Sequence, residues 1–474
     1  MKKLKYLDFI ATILPEEELD VFTASYQSRI DKSIKIITNE DKKYKFLPYF
    51  SSIGRDLRSP GLSNKGEIYN DVLYVHKDEK KSLGNHFLHQ GGYFYVQEVA
   101  ASLSAQVLNV QKWDLVLDLC AAPGGKSVQI ADRLLSLGSG FLLANEPLDP
   151  RRKALIFNLN RCGMSNSAVC AYRGEQIGEL AFECFDKVLV DAPCSGEGMN
   201  YKHDKNTNYR DPKLAQGFSN LQYQILRSGV LATKVWGEIV YSTCTLNPLE
   251  NEQVIWKILK EFEGKIALMR VEIDEKSPGL MQYWDENLLS QEDAQKVARF
   301  WPHKQKTGGF FIAKLKKLSS LPYTPQYDKR KKEKIWLNDS FELQSQVWNY
   351  LLENRGIEKQ NNISFLASEN SIYLTTPEYS QLPSGLFVEK IGVPIFKIWN
   401  QGGWIPQQGL ARILGQYANK NTVKLSDEEA EQLNQKLDLS GYFGEEGSFL
   451  ILKWRDFGFC LGKQVWDTLK NKLF

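Results

Sequence analysis

LVLDLCAAPGGKS, residues 115–127, is an apolar run followed at once by a glycine-rich turn and a helix-like start. The apolar run predicts a buried strand, and the glycines of the turn allow a ligand to approach the backbone closely. The free N–H groups at the start of a helix favour anionic or polar groups. We therefore expect a strand, a ligand-binding turn and a helix, in that order.

Further apolar runs follow this stretch, and helical patterns lie between them. The runs cover residues 141–146, 187–191 and 238–242, with helical patterns over 127–135 and 214–236. Strands that alternate with helices indicate βαβ units and a mostly parallel sheet. The strands of such a sheet are buried on both faces and therefore read as continuous apolar runs. The sequence predicts an α/β fold.

Three nucleotide ligands compete for the glycine-rich turn. A phosphate-binding P-loop requires a glycine where Cys120 stands, and Pro123 removes one backbone donor. The dinucleotide fingerprint GxGxxG does not occur here, whereas S-adenosylmethionine has no phosphate and needs fewer loop donors. Glu146, at the tip of the second run, favours S-adenosylmethionine because a carboxylate there can accept bonds from both ribose hydroxyls. The alternative is that Glu146 only opens the turn that follows it.

Two cysteines follow the ends of predicted strands. Cys194 comes just after Asp191 in FDKVLVDAPCSGEGM, and Cys244 follows the next strand in EIVYSTCTLNPLENEQV. Ligands of open parallel sheets bind at the carboxyl ends of the strands. We therefore expect Asp118, Glu146, Asp191, Cys194 and Cys244 to gather around one crevice. The remaining cysteines after the turn are expected to be small buried hydrophobes: Cys162, Cys170, Cys184 and Cys460.

Composition limits the class of protein. The chain has 474 residues, 42% of them hydrophobic and 25% charged, with a net charge of +3. These values predict two or three folded domains and exclude disorder of the whole chain. Seven cysteines without CxxC spacing argue against a disulfide scaffold or a structural metal site. No signal peptide or membrane-spanning apolar run is apparent, so we expect a cytoplasmic protein.

Five motifs together resemble those of the Nol/Nop/Sun family of RNA cytosine-5 methyltransferases and occur in the family's order. They are HQGGYFYVQEVAASL, DLCAAPGGKS, DAPCSGEGM, YSTCTLNPLENE and RFWPHKQKTGGFF, which span roughly residues 85 to 315. The end of the chain, GFCLGKQVWDTLKNKLF, is similar to the RsmF-like branch, whose tail is a PUA-like RNA-binding domain. The resemblance implies a Rossmann-like class I methyltransferase core with an N-terminal extension and a C-terminal PUA-like α+β domain.

The domain boundaries that we predict combine this resemblance with the charge pattern. An N-terminal RNA-facing domain is expected over residues 1–90, and an S-adenosylmethionine-dependent methyltransferase domain over 91–315. A lysine-rich stretch that includes DKRKKEK predicts a basic linker over 316–334. Residues 335–474 are expected to form the PUA-like RNA-binding domain.

The resemblance also implies roles for the residues at the strand ends. Cys244 is the nucleophile, Cys194 helps to release the product, and Asp191 contributes to catalysis. Glu146 and Asp191 line the cofactor site together with the glycine-rich turn: Cys120, Ala121, Ala122, Pro123, Gly124, Gly125 and Lys126. One departure from the family lies in CAYRGEQ, where Arg173 stands about where an acid that contacts the adenine is expected. Either Glu175 substitutes for that acid, or the adenine is held differently.

Methylation at carbon 5 of cytosine needs a thiol. Carbon 5 of cytosine is too weak a nucleophile to take a methyl group directly. A thiolate that adds to carbon 6 makes carbon 5 enamine-like, and cysteine is intrinsically nucleophilic even when mostly protonated. A carboxyl group near nitrogen 3, such as that of Asp191, draws electrons away from carbon 6.

The resemblance implies that the RNA is ribosomal, from the small subunit. We also expect the protein to be a monomer. A transfer RNA is the nearest alternative substrate. A non-catalytic RNA-binding assembly factor on the same scaffold is a second alternative, but the presence of both cysteines argues against it. An ATP-hydrolysing P-loop protein is disfavoured by Cys120 and Pro123.

Overall fold

The computed structural model describes residues 6–27, 32–37, 57–58, 72–75, 83–202, 212–323, 339–399, 402–441 and 443–472. Much of the predicted N-terminal domain and most of the predicted linker lie outside these ranges. In chain order the strands are β1 Lys32–Ile36, β2 Leu57–Arg58, β3 Val72–Val75, β4 Phe94–Val96, β5 Leu115–Asp118, β6 Phe141–Asn145, β7 Ser167–Cys170, β8 Phe185–Asp191, β9 Thr233–Thr243, β10 Ile266–Met269, β11 Gln282–Tyr283, β12 Glu286–Asn287, β13 Ala298–Phe300, β14 Phe310–Lys317, β15 Ser364–Ala367, β16 Ser371–Thr375, β17 Lys390–Ile391, β18 Val393–Ile398, β19 Trp404–Pro406, β20 Thr422–Leu425, β21 Leu439–Ser440, β22 Phe449–Trp454, β23 Phe457–Val465 and β24 Thr468–Asn471.

Most helices lie between the strands of the middle of the chain. They are α1 Tyr6–Ile10, α2 Glu16–Gln27, α3 Phe87–Gln90, α4 Val99–Leu108, α5 Gly125–Ser136, α6 Asp149–Arg161, α7 Gly174–Leu180, α8 Pro212–Ala232, α9 Glu252–Glu261, α10 Gln291–Lys296, α11 Pro302–Gln305, α12 Phe341–Arg355 and α13 Asp427–Asn434. In the ranges given above, no helix combines the length and the apolarity needed to cross a membrane.

The central sheet has the order β10-β14-β9-β8-β5-β6-β7-β17, and β13 also pairs with β14. Strands β5 to β9 pair in parallel, whereas β14, β10 and β17 are antiparallel to their neighbours. The chain runs from β5 outward through β6 to β7 and then crosses to β8 on the other side of β5. This reversal leaves a crevice at the carboxyl ends of the strands, where ligands bind in such folds.

Both faces of this sheet are covered by helices. Helices α4, α5 and α6 pack with Val116 on one face, and α7, α8 and α9 pack with Leu115 and Leu117 on the other. Successive side chains of a strand point to opposite faces, so the fully buried β5 supplies both cores. The predicted α/β core, with strands alternating with helices, is confirmed.

The structure differs from the sequence prediction at β9. The helical pattern was expected to run to residue 236, but α8 ends at Ala232 and β9 begins at Thr233. Apolar residues continue the helical spacing into the strand, so periodicity alone does not mark the boundary. Pairing with β8 marks it instead, because Thr233 lies opposite Phe185 in the sheet.

The predicted linker begins inside the sheet. Lys316 and Lys317 belong to β14 and lie opposite Ala267 and Ile266. Lys317 is fully buried, donates hydrogen bonds to two backbone carbonyls and forms an ion pair with Glu183. The core therefore extends to Lys317, two residues beyond the expected end at residue 315, since a lysine run does not reveal which lysines have buried partners.

The C-terminal part of the chain contacts the rest of the molecule extensively. It forms two sheets, β15-β16-β18-β19 and β20-β22-β23-β24-β21, while β17 pairs with β7 at the edge of the central sheet. Trp454 packs edge-on against Phe87, and the Tyr93 hydroxyl donates to the Gly458 carbonyl at 2.7 Å. The C-terminal β-rich region thus shares a hydrophobic core with the segment that precedes β5.

Candidate active site

The residues predicted at the strand ends lie at the carboxyl edge of the parallel strands. Asp118 ends β5, Asp191 ends β8, and Glu146 and Cys244 directly follow β6 and β9. Cys194 follows β8 by three residues. Hydrogen bonds join several of these side chains, as described below.

The two cysteines are in direct contact. The Sγ atoms of Cys194 and Cys244 lie 3.3 Å apart, and both residues are half-buried. The hydrogen bond between the sulfurs lowers the pKa of the Cys244 thiol, against the opposing effect of burial, and the nearby Lys126 ammonium lowers it further. The same hydrogen bond, burial and the Glu250 carboxylate raise the pKa of the Cys194 thiol. Cys244 is therefore the sulfur on which negative charge is favoured.

An ion pair lies beside the cysteines. Lys126 Nζ contacts Asp191 Oδ2 at 2.6 Å, and the Ser242 hydroxyl donates to Asp191 Oδ1 at 2.8 Å. Burial alone would lower the pKa of Lys126, but Asp191 brings the pKa above its ordinary value. Lys126 is thus a fixed cation between the glycine-rich turn and the Cys244 sulfur.

The serine after Lys126 is bonded to the preceding strand. Ser127 Oγ donates to Asp118 Oδ2 at 2.7 Å. Burial raises the pKa of Asp118 to about 7. In a P-loop the corresponding lysine and serine reach the phosphates and the magnesium ion. Here both side chains are held by acids, which supports the sequence argument against a triphosphate.

The glycine-rich turn packs closely on its surroundings. Gly124 has φ +114°, a conformation that glycine adopts without strain, and a Cβ there would lie 3.2 Å from the side chain of Leu155. A Cβ on Gly125 would lie 3.1 Å from the ring of Tyr95. Cys120 is half-buried, and burial raises the pKa of its thiol well above the ordinary value. Cys120 therefore contributes an uncharged side chain to the turn.

Glu146 is buried at the tip of β6. Its Oε1 accepts the Leu148 N–H at 3.0 Å, and its Oε2 lies 3.3 Å from the half-exposed Arg151. Glu146 therefore holds the turn that follows it, and its second carboxylate oxygen contacts Arg151. Its contact with a ribose stays a prediction. The Arg173 that departs from the family pattern forms an ion pair with Glu175 at 2.6 Å.

Sequence reasoning missed the residues that hold the Cys194 loop. Glu250 is fully buried, and its Oε2 accepts the Ser195 N–H at 3.0 Å and Gln222 Nε2 at 2.8 Å. The Ser195 hydroxyl donates to Thr245 Oγ1 at 3.0 Å, which connects the two cysteine loops. The acidic NPLENE run after Cys244 was the available signal, since buried carboxylates require hydrogen-bond donors.

A second missed contact involves two glycines. The Gly309 N–H donates to the Gly198 carbonyl at 2.8 Å, and a Cβ on Gly198 would lie 2.1 Å from the Gly309 carbonyl oxygen. The GEG segment after Cys194 and the TGG segment before β14 therefore approach backbone to backbone. Their occurrence in two separate motifs was the signal that could have paired them.

A separate cavity of about 390 Å³ lies between the core and the C-terminal region, lined by residues such as Asn166, Glu378 and Arg412. Cys194, Cys244, Asp191 and Glu146 are not among its lining residues. We assign the chemistry to the strand-end cluster because its nucleophile and charged groups contact one another, whereas cavity size alone indicates no reaction.

Residues 105–316 match the family described as 16S rRNA methyltransferase RsmB/F. The chain is 29% identical to Ribosomal RNA small subunit methyltransferase F of Vibrio cholerae serotype O1 over 472 residues, which cover 99% of this chain and 96% of the relative. A protein of the same name from Shewanella baltica strain OS185 is 28% identical over 485 residues, covering 99% of this chain and 95% of that protein.

A solved structure supports the same assignment. A methyltransferase homolog protein from Pyrococcus horikoshii superposes with a TM-score of 0.54 and 26% identity, covering 66% of this chain and 99% of that chain. The order of the strands, the order of the motifs and the nearly full-length relatives all indicate the same class of protein. Together these matches identify the chain as an RNA methyltransferase whose residues 105–316 are similar to the RsmB/F family.

Proposed function

We propose that the protein methylates carbon 5 of a cytosine in small-subunit ribosomal RNA, with S-adenosylmethionine as methyl donor and Cys244 as covalent nucleophile. The observation that carries this proposal is the contact between Cys194 and Cys244, 3.3 Å apart at the sheet edge where Lys126 and Asp191 also meet. The relatives' names supply the ribosomal substrate.

The charge distribution suits Cys244 to the first step. Its thiolate, favoured by Lys126 and by the Cys194 hydrogen bond, adds to carbon 6 of the ring. The Asp191 carboxyl group, which Lys126 and Ser242 hold in place, hydrogen-bonds nitrogen 3. Removal of electrons from the ring at nitrogen 3 promotes the addition at carbon 6.

Cys194 serves the last step. Once carbon 5 carries the methyl group, its proton must leave before the bond between carbon 6 and Cys244 breaks. Cys194, or a base that acts through it, accepts this proton, and Glu250 and Gln222 hold the loop in place for it. The raised pKa of Cys194 keeps it a thiol at rest, so it first gives up its own proton to solvent and, as a thiolate, is then basic enough to take the proton from carbon 5.

The donor set fits S-adenosylmethionine better than a nucleoside triphosphate. Acids end or follow three neighbouring strands, at Asp118, Glu146 and Asp191, and such a set suits a cationic ligand with ribose hydroxyls. When bound, the cofactor supplies an electrophilic methyl group. The turn from Cys120 to Lys126 and Glu146 would hold it, with Glu146 on the ribose.

The C-terminal region, residues 335–474, is proposed to bind RNA as a PUA-like domain, and residues 1–90 to face the RNA from the other end. Trp466, in the turn between β23 and β24, is 79% exposed, and exposed aromatic rings can stack on unpaired bases. A monomeric state and a cytoplasmic location stay predictions.

Bisulfite sequencing of cellular RNA, with and without the gene, tests the proposal. We expect one or a few cytosines of the small-subunit RNA to lose protection in the deletion strain, and recovery with the wild-type gene but not with Cys244→Ala. Loss of protection only in transfer RNA would replace the substrate. Unchanged protection in all RNA would favour the non-catalytic assembly factor.

A further inference from the structure

The sulfurs at the carboxyl edge are placed to react with each other as well as with a base. Cys194 and Cys244 lie with their Sγ atoms 3.3 Å apart, and a disulfide bond is about 2.05 Å long. Both residues occupy loops that follow strand ends rather than the strands themselves. The two sulfurs therefore need to move only a short distance to bond, and they belong to loops rather than to hydrogen-bonded strands.

The environment favours oxidation at this pair over the other cysteines. Both residues are half-buried, whereas Cys162, Cys170 and Cys460 are buried. Cys120 is half-buried too, but burial raises the pKa of its thiol well above the ordinary value. The Lys126 ammonium stabilises negative charge on Cys244, and thiolates rather than thiols attack peroxides. Cys184 is half-buried as well, but burial raises the pKa of its thiol.

We propose that Cys194 and Cys244 form a site of reversible oxidative modification, at which hydrogen peroxide joins the two sulfurs in a disulfide and stops methyl transfer. The Cys244 thiolate attacks one peroxide oxygen, the O–O bond breaks, and the hydroxide released takes up a proton to become water. Cys244 is then a sulfenic acid. Cys194 loses its proton and attacks the Cys244 sulfur, which releases the sulfenic oxygen as a second water.

The balance is two thiols and one hydrogen peroxide to one disulfide and two waters. Disulfides of cytosolic proteins are usually transient and redox-sensing, and a cellular dithiol would reverse this one. The oxidation depends only on the geometry of the pair. Its effect on methyl transfer rests on the proposed function, because a disulfide removes the nucleophile.

Thiol counting and mass measurement on the full chain test the inference. The reduced protein is treated with an equimolar amount of hydrogen peroxide and then unfolded. We expect titratable thiols to fall from seven to five, as two are joined, with a mass loss of about 2 Da. Peptide mapping should recover one linked pair that contains residues 194 and 244, and dithiothreitol should restore all seven thiols.

Two single variants sharpen the test. Cys194→Ser lacks the resolving thiol, so we expect Cys244 to gain about 32 Da as the irreversible sulfinic acid under excess peroxide. The matched variant Cys184→Ser should form the same disulfide as the wild type. Seven remaining thiols after treatment, or links through other cysteines, would overturn the inference. A correct disulfide in a protein without methyl transfer in either state would instead overturn the proposed function alone.

Discussion

The parallel strands of the central sheet begin at one edge, the amino edge, and end at the other, the carboxyl edge. These two edges carry similar ion pairs but different chemistry. At the carboxyl edge, Lys126 pairs with Asp191 at the end of β8. At the amino edge, four residues earlier on the same strand, Lys187 pairs with Glu238 of β9, and Lys314 of β14 lies 3.0 Å from the same carboxylate. Both pairs are mostly shielded from solvent, so the ion pair itself does not distinguish the edges.

What distinguishes them is the polarity of the strands. At the amino edge the partners lie opposite each other within the ladder, Lys187 across from Glu238, and their charges neutralise each other. At the carboxyl edge the chain leaves each strand in a loop that leads to a helix, and these loops carry both thiols and the glycine-rich turn. Reactivity therefore follows from the edge at which parallel strands end, and changes at the two edges should have unequal effects.

Removal of the nucleophile is the largest effect that we expect at the carboxyl edge. Cys244→Ala should reduce methyl transfer by at least about 10³-fold, the order found when a covalent nucleophile is lost. Transfer of radiolabelled methyl to RNA measures it, with Cys184→Ala as the matched control. Cofactor binding should survive, because its contacts come from other strand ends. Turnover at the wild-type rate would disprove the nucleophile assignment.

Removal of Cys194 should stop the reaction later. In Cys194→Ala the Cys244 adduct forms but is not resolved, so a covalent protein–RNA complex should accumulate and survive a denaturing gel. The double variant Cys194→Ala/Cys244→Ala should show none. An equal amount of complex in the double variant would refute this division of roles.

Equivalent lysine substitutions compare the two edges directly. Lys126→Met should slow methyl transfer by about 10²-fold, the scale of a lost acid–base contribution, whereas Lys187→Met should leave the rate within about twofold. The lysine charge holds the pKa of Cys244 down, so its loss raises that pKa. The rate depends on thiolate, which is present above the pKa. The rising limb of the pH profile of the methyl-transfer rate should therefore move to higher pH in Lys126→Met and not in Lys187→Met. An equal shift in both variants would contradict the difference that we expect between the two edges.

Loss of the proposed contact between Glu146 and the cofactor should have a smaller but measurable effect. Glu146→Ala should cost about 1–3 kcal/mol of S-adenosylmethionine affinity, the usual loss when a buried hydrogen-bonding partner is removed. Titration calorimetry measures it, with Glu175→Ala as the comparison at the neighbouring strand end. An unchanged affinity in Glu146→Ala would move the ribose contact elsewhere, and a loss in Glu175→Ala would indicate that Glu175 serves the adenine.

The smallest effect is expected at the amino edge. Burial would raise the pKa of Glu238, but Lys187 and Lys314 hold it below its ordinary value. Its contribution to stability is therefore present above pH ~4.3, the usual value of a glutamate, and is lost as the pH falls through the folded-state pKa. Glu238→Gln should cost about 1 kcal/mol near neutral pH and less in acid, without changing methyl transfer. Denaturant unfolding at two pH values measures this, and a methylation defect would contradict the comparison.

The pattern of residues along the chain is enough to predict the parallel sheet and the edge at which the strand-end residues gather. Apolar runs separated by helical patterns require buried parallel strands, and the topology of such sheets brings residues after strand ends together. That rule alone places Asp191, Cys194 and Cys244 together at one edge of the sheet. Their roles, and the two sulfurs' division of labour, came from the family resemblance and stay predictions.

The pairing of side chains depends on the folded chain as a whole. Lys126 and Asp191 are 65 positions apart, and no local pattern indicates that they form an ion pair. The buried Glu250 under the Cys194 loop, and the addition of β17 to β7 from more than 200 positions away, are likewise invisible to periodicity. Hydrogen bonds and ion pairs between distant segments depend on how the chain packs, and packing is a property of the whole fold rather than of any one stretch.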